Sequence, residues 1–218
     1  MKFGFYVSKN ATRFINALQD GVLHKTNTAF ALTDHSETPN LQKICDKFAI
    51  PLYNYSYEQY NLSKKDRNKF VSDIFLSLLK RAECSYGFAW GGRLLLTGNL
   101  LEEYKNRLIN FHPSLLPAYK GHLKAITDAL NENVLLLGNT AHFINEKADD
   151  GIMIMQSIFC SHNFRNYDDV LNLQIPMIKQ IILWIEQDRF VFENEKLYIK
   201  NANYKVDIFI PNLEFQAL

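Results

Sequence analysis

The chain has 218 residues, a formal net charge of +1 and 47% hydrophobic residues, the totals of one ordinary globular domain. So small a net charge gives no support to a nucleic-acid or membrane-surface partner. Three widely spaced cysteines (Cys45, Cys84 and Cys160) suggest neither a disulfide framework nor a zinc pattern. With no visible signal peptide and no window of about 18 apolar residues, a cytoplasmic protein is expected.

Lys2–Val7 reads as a buried strand, and Ala11–Gly21 shows helical spacing that stops at a glycine. Ala29–Asp34 is a second strand, Asn40–Phe48 a second helix and 51–56 a short third strand. Phe70, Ile74, Leu78 and Arg81 fall at helical intervals with Val71, Phe75 and Leu79 beside them, predicting a long amphipathic helix. Tyr86–Trp90 is a fourth strand. Alternating strands and helices predict an α/β fold: a Rossmann-like, open, mostly parallel sheet with helices on both faces.

The second half differs. Arg107–Phe111 is a strand and Lys120–Leu130 a possible helix. Leu136–Ile144 and Gly151–Phe159 are long apolar strands joined by the polar turn Asn145–Asp150, a link that suits antiparallel pairing. Asp168–Gln187 reads as a helix bent or broken near Pro176, and 190–199 as a terminal hairpin. No linker divides the chain, so 1–218 is read as one domain, with a Rossmann-like half (1–100) and a second half (101–218).

Ligands of open α/β sheets sit beyond the carboxyl ends of the strands, which directs attention to the loops after Val7, Trp90 and Phe111. The first, Ser8–Phe14, has no glycine to let backbone amides cradle a phosphate. Neither a Walker pattern nor GxGxxG occurs, which disfavours nucleoside triphosphatases and dinucleotide-dependent dehydrogenases, and there is no GxSxG nucleophile. Asn10 and Thr12 could cap the following helix. The six histidines show no metal-binding spacing. Gathering His112, His142 and Asp149 around a metal is an alternative use of those side chains, but the expectation is that no metal is involved.

Asn110 and His112 alternate with Phe111, so in a strand they project to one face, and Pro113 ends that strand at once. An amide can donate to a developing oxyanion, and an imidazole can exchange a proton near neutral pH. Satisfying loop backbone groups is the competing use of such a pair. Asp149 and Asp150 lie in a turn, where aspartate is common anyway; one of them could reach the histidine and hold its charged form.

With these residues in view, "NFHPSLLPAYKG" (Asn110–Gly121) and "HFINEKADDGIMIMQ" (His142–Gln156) resemble the tetrahydrofolate-dependent formyltransferases. That family carries N-x-H-P-S-L-L-P and, about forty residues on, an acid in a D-x-G turn. The resemblance covers most of the chain and is similar to the glycinamide ribonucleotide formyltransferases in length, final helix and terminal hairpin. It implies that Asn110, His112 and Asp149 are catalytic, Asp150 standing at the variable place before Gly151. It implies 10-formyltetrahydrofolate as donor, its pterin held by Arg93, Leu94 and Leu95 on one side and by Asn145, Glu146, Lys147 and Ala148 on the other. It also implies an amine acceptor, a protonated His112, and loop prolines that pre-aim the two donors.

The resemblance departs at the acceptor. In the glycinamide enzymes the first loop is glycine-rich and holds the substrate phosphate, whereas Lys9 and Ala11 stand at those places here. Gln174 falls about where those enzymes have a glutamate for the ribose. The expected acceptor contacts are therefore Lys9, Asn10, Ala11, Thr12 and Gln174, and the expected acceptor is a nucleotide-linked amino sugar. Glycinamide ribonucleotide is the alternative, and a folate-binding protein without turnover is the alternative from another class. Family members are often dimers, so a homodimer is the corresponding expectation.

Overall fold

The computed structural model describes every residue except Gln59, Arg93, Val206 and 216–218. It comprises two compact units, one of Met1–Asn110 with Ile144–Glu146, the other of Phe111–Phe143 with Lys147 onward.

The first unit is built on parallel strands: β1 (Phe3–Val7), β2 (Thr28–Thr33), β3 (Leu52–Asn54), β4 (Tyr86–Trp90) and the start of β5 (Leu108–His112), in the order β3-β2-β1-β4-β5. All five residues of β1 are buried, as expected of a central strand covered on both faces. Its helices are α1 (Thr12–Gln19), α2 (Pro39–Phe48), α3 (Lys64–Arg81) and the short α4 (Asn99–Glu103). Helix α3 begins where Ser63 accepts the Asp66 amide and ends with Lys80 and Arg81, which complement its dipole. It buries Val71, Phe75, Leu78 and Leu79 in a core shared with Tyr6, Phe30 and Leu32. At roughly 1.5–3 kcal/mol per buried large apolar side chain, this face outweighs any local propensity in fixing α3.

In the second unit, β6 (Leu136–Phe143) and β7 (Met153–Cys160) pair antiparallel, and β10 (Phe209–Ile210) adds to β7. Helices α5 (Ala125–Asn131), α6 (Tyr167–Leu171) and α7 (Gln174–Glu186) and the hairpin of β8 (Phe190–Glu193) and β9 (Lys196–Ile199) complete it. Helix α7 buries Met177, Ile178, Ile181, Ile182, Trp184 and Ile185. No helix among the described residues is long and apolar enough to cross a membrane.

The alternation of strands and helices matches the α/β expectation, with three local differences. Only Ala125–Asn131 of the expected helix 120–130 is helical, because Tyr119 (φ 57) and Gly121 (φ 75) turn the chain left-handed before it. The expected helix 168–187 divides at Asn172–Leu173, not at Pro176. Pro176 is the third residue of α7, in the first turn, where the missing amide has no intrahelical partner to lose. Helix α4 and strand β10, both very short, have no periodicity to betray them.

Candidate active site

The second unit gathers a chain of side chains around Asp149. His112 ends β5 and is 6% exposed. Its Nδ1 lies 3.2 Å from Asp149 Oδ2, and its Nε2 lies 3.0 Å from the Tyr119 carbonyl oxygen. The Gly121 amide donates to the same Asp149 oxygen at 3.0 Å. The other carboxylate oxygen stands 3.4 Å from His142 Nε2, and His142 Nδ1 is 2.9 Å from the Phe143 carbonyl oxygen.

Backbone geometry aims the carboxylate. Asp149 is left-handed, with φ 52, a conformation that aspartate tolerates better than most residues. Two residues on, a Cβ at Gly151 would come within 1.6 Å of the Phe143 carbonyl oxygen, so the turn closes only with glycine there. Asp150 points elsewhere and pairs with Lys120.

The loop after β5 is held from β6 and β7. Leu116 N donates to Thr140 Oγ1 at 3.0 Å, Thr140 Oγ1 donates to the Ser114 carbonyl at 2.7 Å, and Gln156 Nε2 reaches the Leu116 carbonyl at 3.1 Å. Thr140 and Gln156 thus share with the prolines the task of shaping the loop.

Burial is the largest influence on His112 and disfavours its charged form. Asp149 and the Tyr119 carbonyl oppose it, and the net effect holds the imidazole below its ordinary value. At rest, burial weighs toward the neutral ring. For Asp149, burial works against ionisation, but His142, His112 and the Gly121 amide outweigh it and hold the carboxyl below the usual carboxylate range. Asp149 is the firmly ionised member of the pair.

Asn110 lies two residues before His112 on β5, paired in register with Ala89. Of the residues expected to grip a pterin, Leu94 is half-buried and Leu95 is exposed, in a segment that is neither helix nor strand. Its backbone is not committed to a ladder, which suits a ring read by main-chain groups. Arg93 lies outside the described residues. Asn145, Glu146, Lys147 and Ala148 follow β6 in the turn that leads to Asp149, Asn145 and Glu146 belonging to the first unit and Lys147 and Ala148 to the second.

Lys9, Asn10 and Thr12 line a cavity of about 720 Å³ in the first unit, together with Glu37, Thr38 and Lys43. Ala11, expected with them as an acceptor contact, is not on that lining. It takes the left-handed conformation of a glycine (φ 46), is buried, and donates its amide to Ser8 Oγ at 3.3 Å. Gln174 also differs from expectation. It is 1% exposed, and its Nε2 donates to Asn139 Oδ1 at 2.7 Å, while Asn139 bonds Ser157 Oγ and the Val170 carbonyl. Gln174 ties α7 to β6 and is not available as an acceptor contact.

From sequence alone His142 stands out only as a possible metal ligand, and Tyr119, Gly121, Thr140 and Gln156 do not stand out at all. A histidine in an apolar strand whose turn holds an acidic pair was the one available signal. Among the described residues, no group of three His, Cys, Asp or Glu is arranged to hold a metal.

The site thus sets a buried imidazole against a half-buried carboxylate on an α/β scaffold. Residues 1–160 match the formyl transferase family, and the chain belongs to that family. A formyltetrahydrofolate deformylase of Haemophilus influenzae is 27% identical over 165 residues, which is 73% of this chain and 57% of that protein. A mitochondrial formyltetrahydrofolate deformylase 2 of Arabidopsis thaliana is 32% identical over 142 residues, 64% of this chain and 40% of that protein. The chain thus spans about half the length of the curated relatives it matches. Among solved structures, glycinamide ribonucleotide transformylase 1 of Symbiobacterium toebii matches with a TM-score of 0.74 at 21% identity, over 92% of this chain and 94% of that one. The likeness shows the fold.

Proposed function

We propose that this protein transfers a formyl group from 10-formyltetrahydrofolate to a primary amine, that of a nucleotide-linked amino sugar. The observation that carries the transfer is the contact of His112 with an ionised Asp149, in a chain of the formyl transferase family. The amine nitrogen attacks the formyl carbon, the bond from that carbon to the folate nitrogen breaks, and a proton passes from the amine to the departing nitrogen. Asn110 and His112 donate to the oxyanion that forms on the formyl oxygen. One such donor contributes about a hundredfold to a thousandfold in rate.

Both His112 nitrogens already face acceptors, so its Nε2 exchanges the Tyr119 carbonyl for the substrate oxygen when substrate binds. Such exchange is ordinary, since catalytic hydrogen bonds commonly form fully only with substrate present. Asp149 favours the imidazolium once charge develops and takes the amine proton through a water. Arg93, Leu94 and Leu95 with Asn145, Glu146, Lys147 and Ala148 hold the donor.

For the acceptor, the cavity beside Lys9, Asn10 and Thr12 supports a ligand with an anionic group, because Lys43 adds a second cation on its wall. Its volume suits a group larger than a single phosphate. A second reading, hydrolysis of the donor with water as acceptor, is favoured by the curated relatives, which are formyltetrahydrofolate deformylases.

The test is a panel with the donor fixed: several amino-sugar nucleotides, glycinamide ribonucleotide, and buffer alone. Formylation of an amino-sugar nucleotide well above the other arms is expected. Formylation of glycinamide ribonucleotide alone, or formate release independent of any amine, would replace the acceptor. Donor binding without turnover in any arm would leave a folate-binding protein.

A further inference from the structure

Beneath the segment that follows β4, the first unit buries two polar groups that the reaction does not use. Tyr6 on β1 stands opposite Leu32 on β2, and Asp34 follows the end of β2 two residues beyond Leu32. Tyr6 is 0% exposed and Asp34 is 2% exposed. Among the described residues, no well-formed hydrogen bond reaches the Tyr6 hydroxyl or either Asp34 oxygen. The hydroxyl's polar neighbours are the Asp34 carboxylate and the Leu94 backbone, and His35 Nε2 lies 3.6 Å from Asp34 Oδ1. Burial, with Asp34 adding to it, pushes the phenol well above its ordinary value, so the hydroxyl keeps its proton and remains a donor.

The Tyr6 ring also sets how closely the segment can approach. A Cβ at Gly92 would lie 2.3 Å from the ring at Cε1 and 2.7 Å from Cζ. Gly91, with φ 88, turns the chain onto that ring. One side chain therefore meets the segment twice, by its ring at Gly92 and by its hydroxyl near Leu94. Unsatisfied buried polar groups cost stability, so a phenylalanine and an apolar residue would be the cheaper floor.

We propose that Tyr6 and Asp34 are positioning residues for donor binding. The Tyr6 ring fixes the height of the backbone at Gly92, and its hydroxyl, beside the Asp34 carboxylate, faces the Leu94 backbone against which the pterin is read. This rests on the reading that Arg93, Leu94 and Leu95 hold the folate donor.

The experiment is titration calorimetry with tetrahydrofolate on the full chain, with steady-state kinetics beside it. Tyr6→Phe keeps the ring and removes the hydroxyl; it is expected to weaken tetrahydrofolate about five- to tenfold, the factor for losing the polar contact beside the Leu94 backbone. The KM for the donor should rise by the same factor, with the acceptor KM and kcat within about twofold. Gly92→Ala is expected to weaken tetrahydrofolate tenfold or more, and the pair Gly92→Ala with Tyr6→Leu to bind more tightly than Gly92→Ala alone, because space is restored. A residue that merely supports the fold would lower the melting temperature and leave these constants unmoved. Wild-type affinity in both Tyr6→Phe and Gly92→Ala overturns the inference. Failure of the wild-type chain to bind tetrahydrofolate overturns the donor reading itself, and the inference with it.

Discussion

Asp149 Oδ2 stands 3.2 Å from His112 Nδ1, although 36 positions separate the two residues in the chain and an adjacent aspartate competes for the role. The choice is made by the turn. Asp149 takes a left-handed φ that sends its carboxylate to the histidine, while Asp150 turns outward to Lys120.

The two aspartates should therefore separate cleanly. Asp149→Asn keeps the shape but loses the charge, and we expect turnover to fall by about 10² to 10⁴ with donor affinity nearly unchanged. Asp150→Asn breaks an exposed ion pair with Lys120, of a kind that contributes little, and should leave kcat within about twofold. Equal losses in the two variants would mean that the wrong carboxylate has been assigned.

His112 should titrate abnormally. Its burial outweighs the neighbouring carboxylate, so its midpoint, followed by NMR of the ring protons, is expected below about 6.5. Asp149 is an influence that raises it, so Asp149→Asn should move the midpoint further down. The linkage sign follows: both His112 and Asp149 bind protons more readily when unfolded. His112 therefore costs stability as pH falls below about 6.5, and Asp149 does so as pH falls below about 3.9. Denaturant unfolding of wild type and His112→Gln across pH 5 to 7 measures the first part, and a midpoint at or above the ordinary value would contradict it.

Gly151→Ala should damage both stability and turnover. A methyl group cannot sit 1.6 Å from the Phe143 carbonyl oxygen, so the turn must open and carry Asp149 with it. A loss of about 1–3 kcal/mol in unfolding free energy is expected, with turnover falling well beyond what the unfolded fraction explains. Retained turnover in the folded fraction would show that Asp149 does not depend on this closure.

Lys9→Ala and Lys43→Ala address the acceptor cavity. Each should raise the acceptor KM about three- to tenfold and leave the donor KM alone, and the effect should shrink at high salt, because exposed charges are screened. An unchanged acceptor KM in both would move the anion elsewhere.

Much of the architecture was legible because strands and helices here carry strong periodic signals. The buried run of β1 and the apolar spacing of α3 are examples. The chain order of β6, a polar turn and β7 announced an antiparallel pair, and it is one. The boundaries that strayed lie where nothing repeats, at Tyr119–Gly121 and at Asn172–Leu173, because single backbone dihedrals decide them and leave no pattern. Ala11 makes the same point, since an alanine in a glycine's conformation cannot be read from its letter.

By itself the sequence determined the alternation of elements, the strand that carries Asn110 and His112, and the short list of acids able to serve the histidine. Only tertiary structure decided that Asp149 faces His112, that His142 and Gly121 complete its surroundings, and that Gln174 is spent inside the second unit. The reason is physical. Periodicity reports which face of an element loses water, whereas a hydrogen bond needs two groups within about 3 Å, and that distance is set by turns and contacts far apart in the chain.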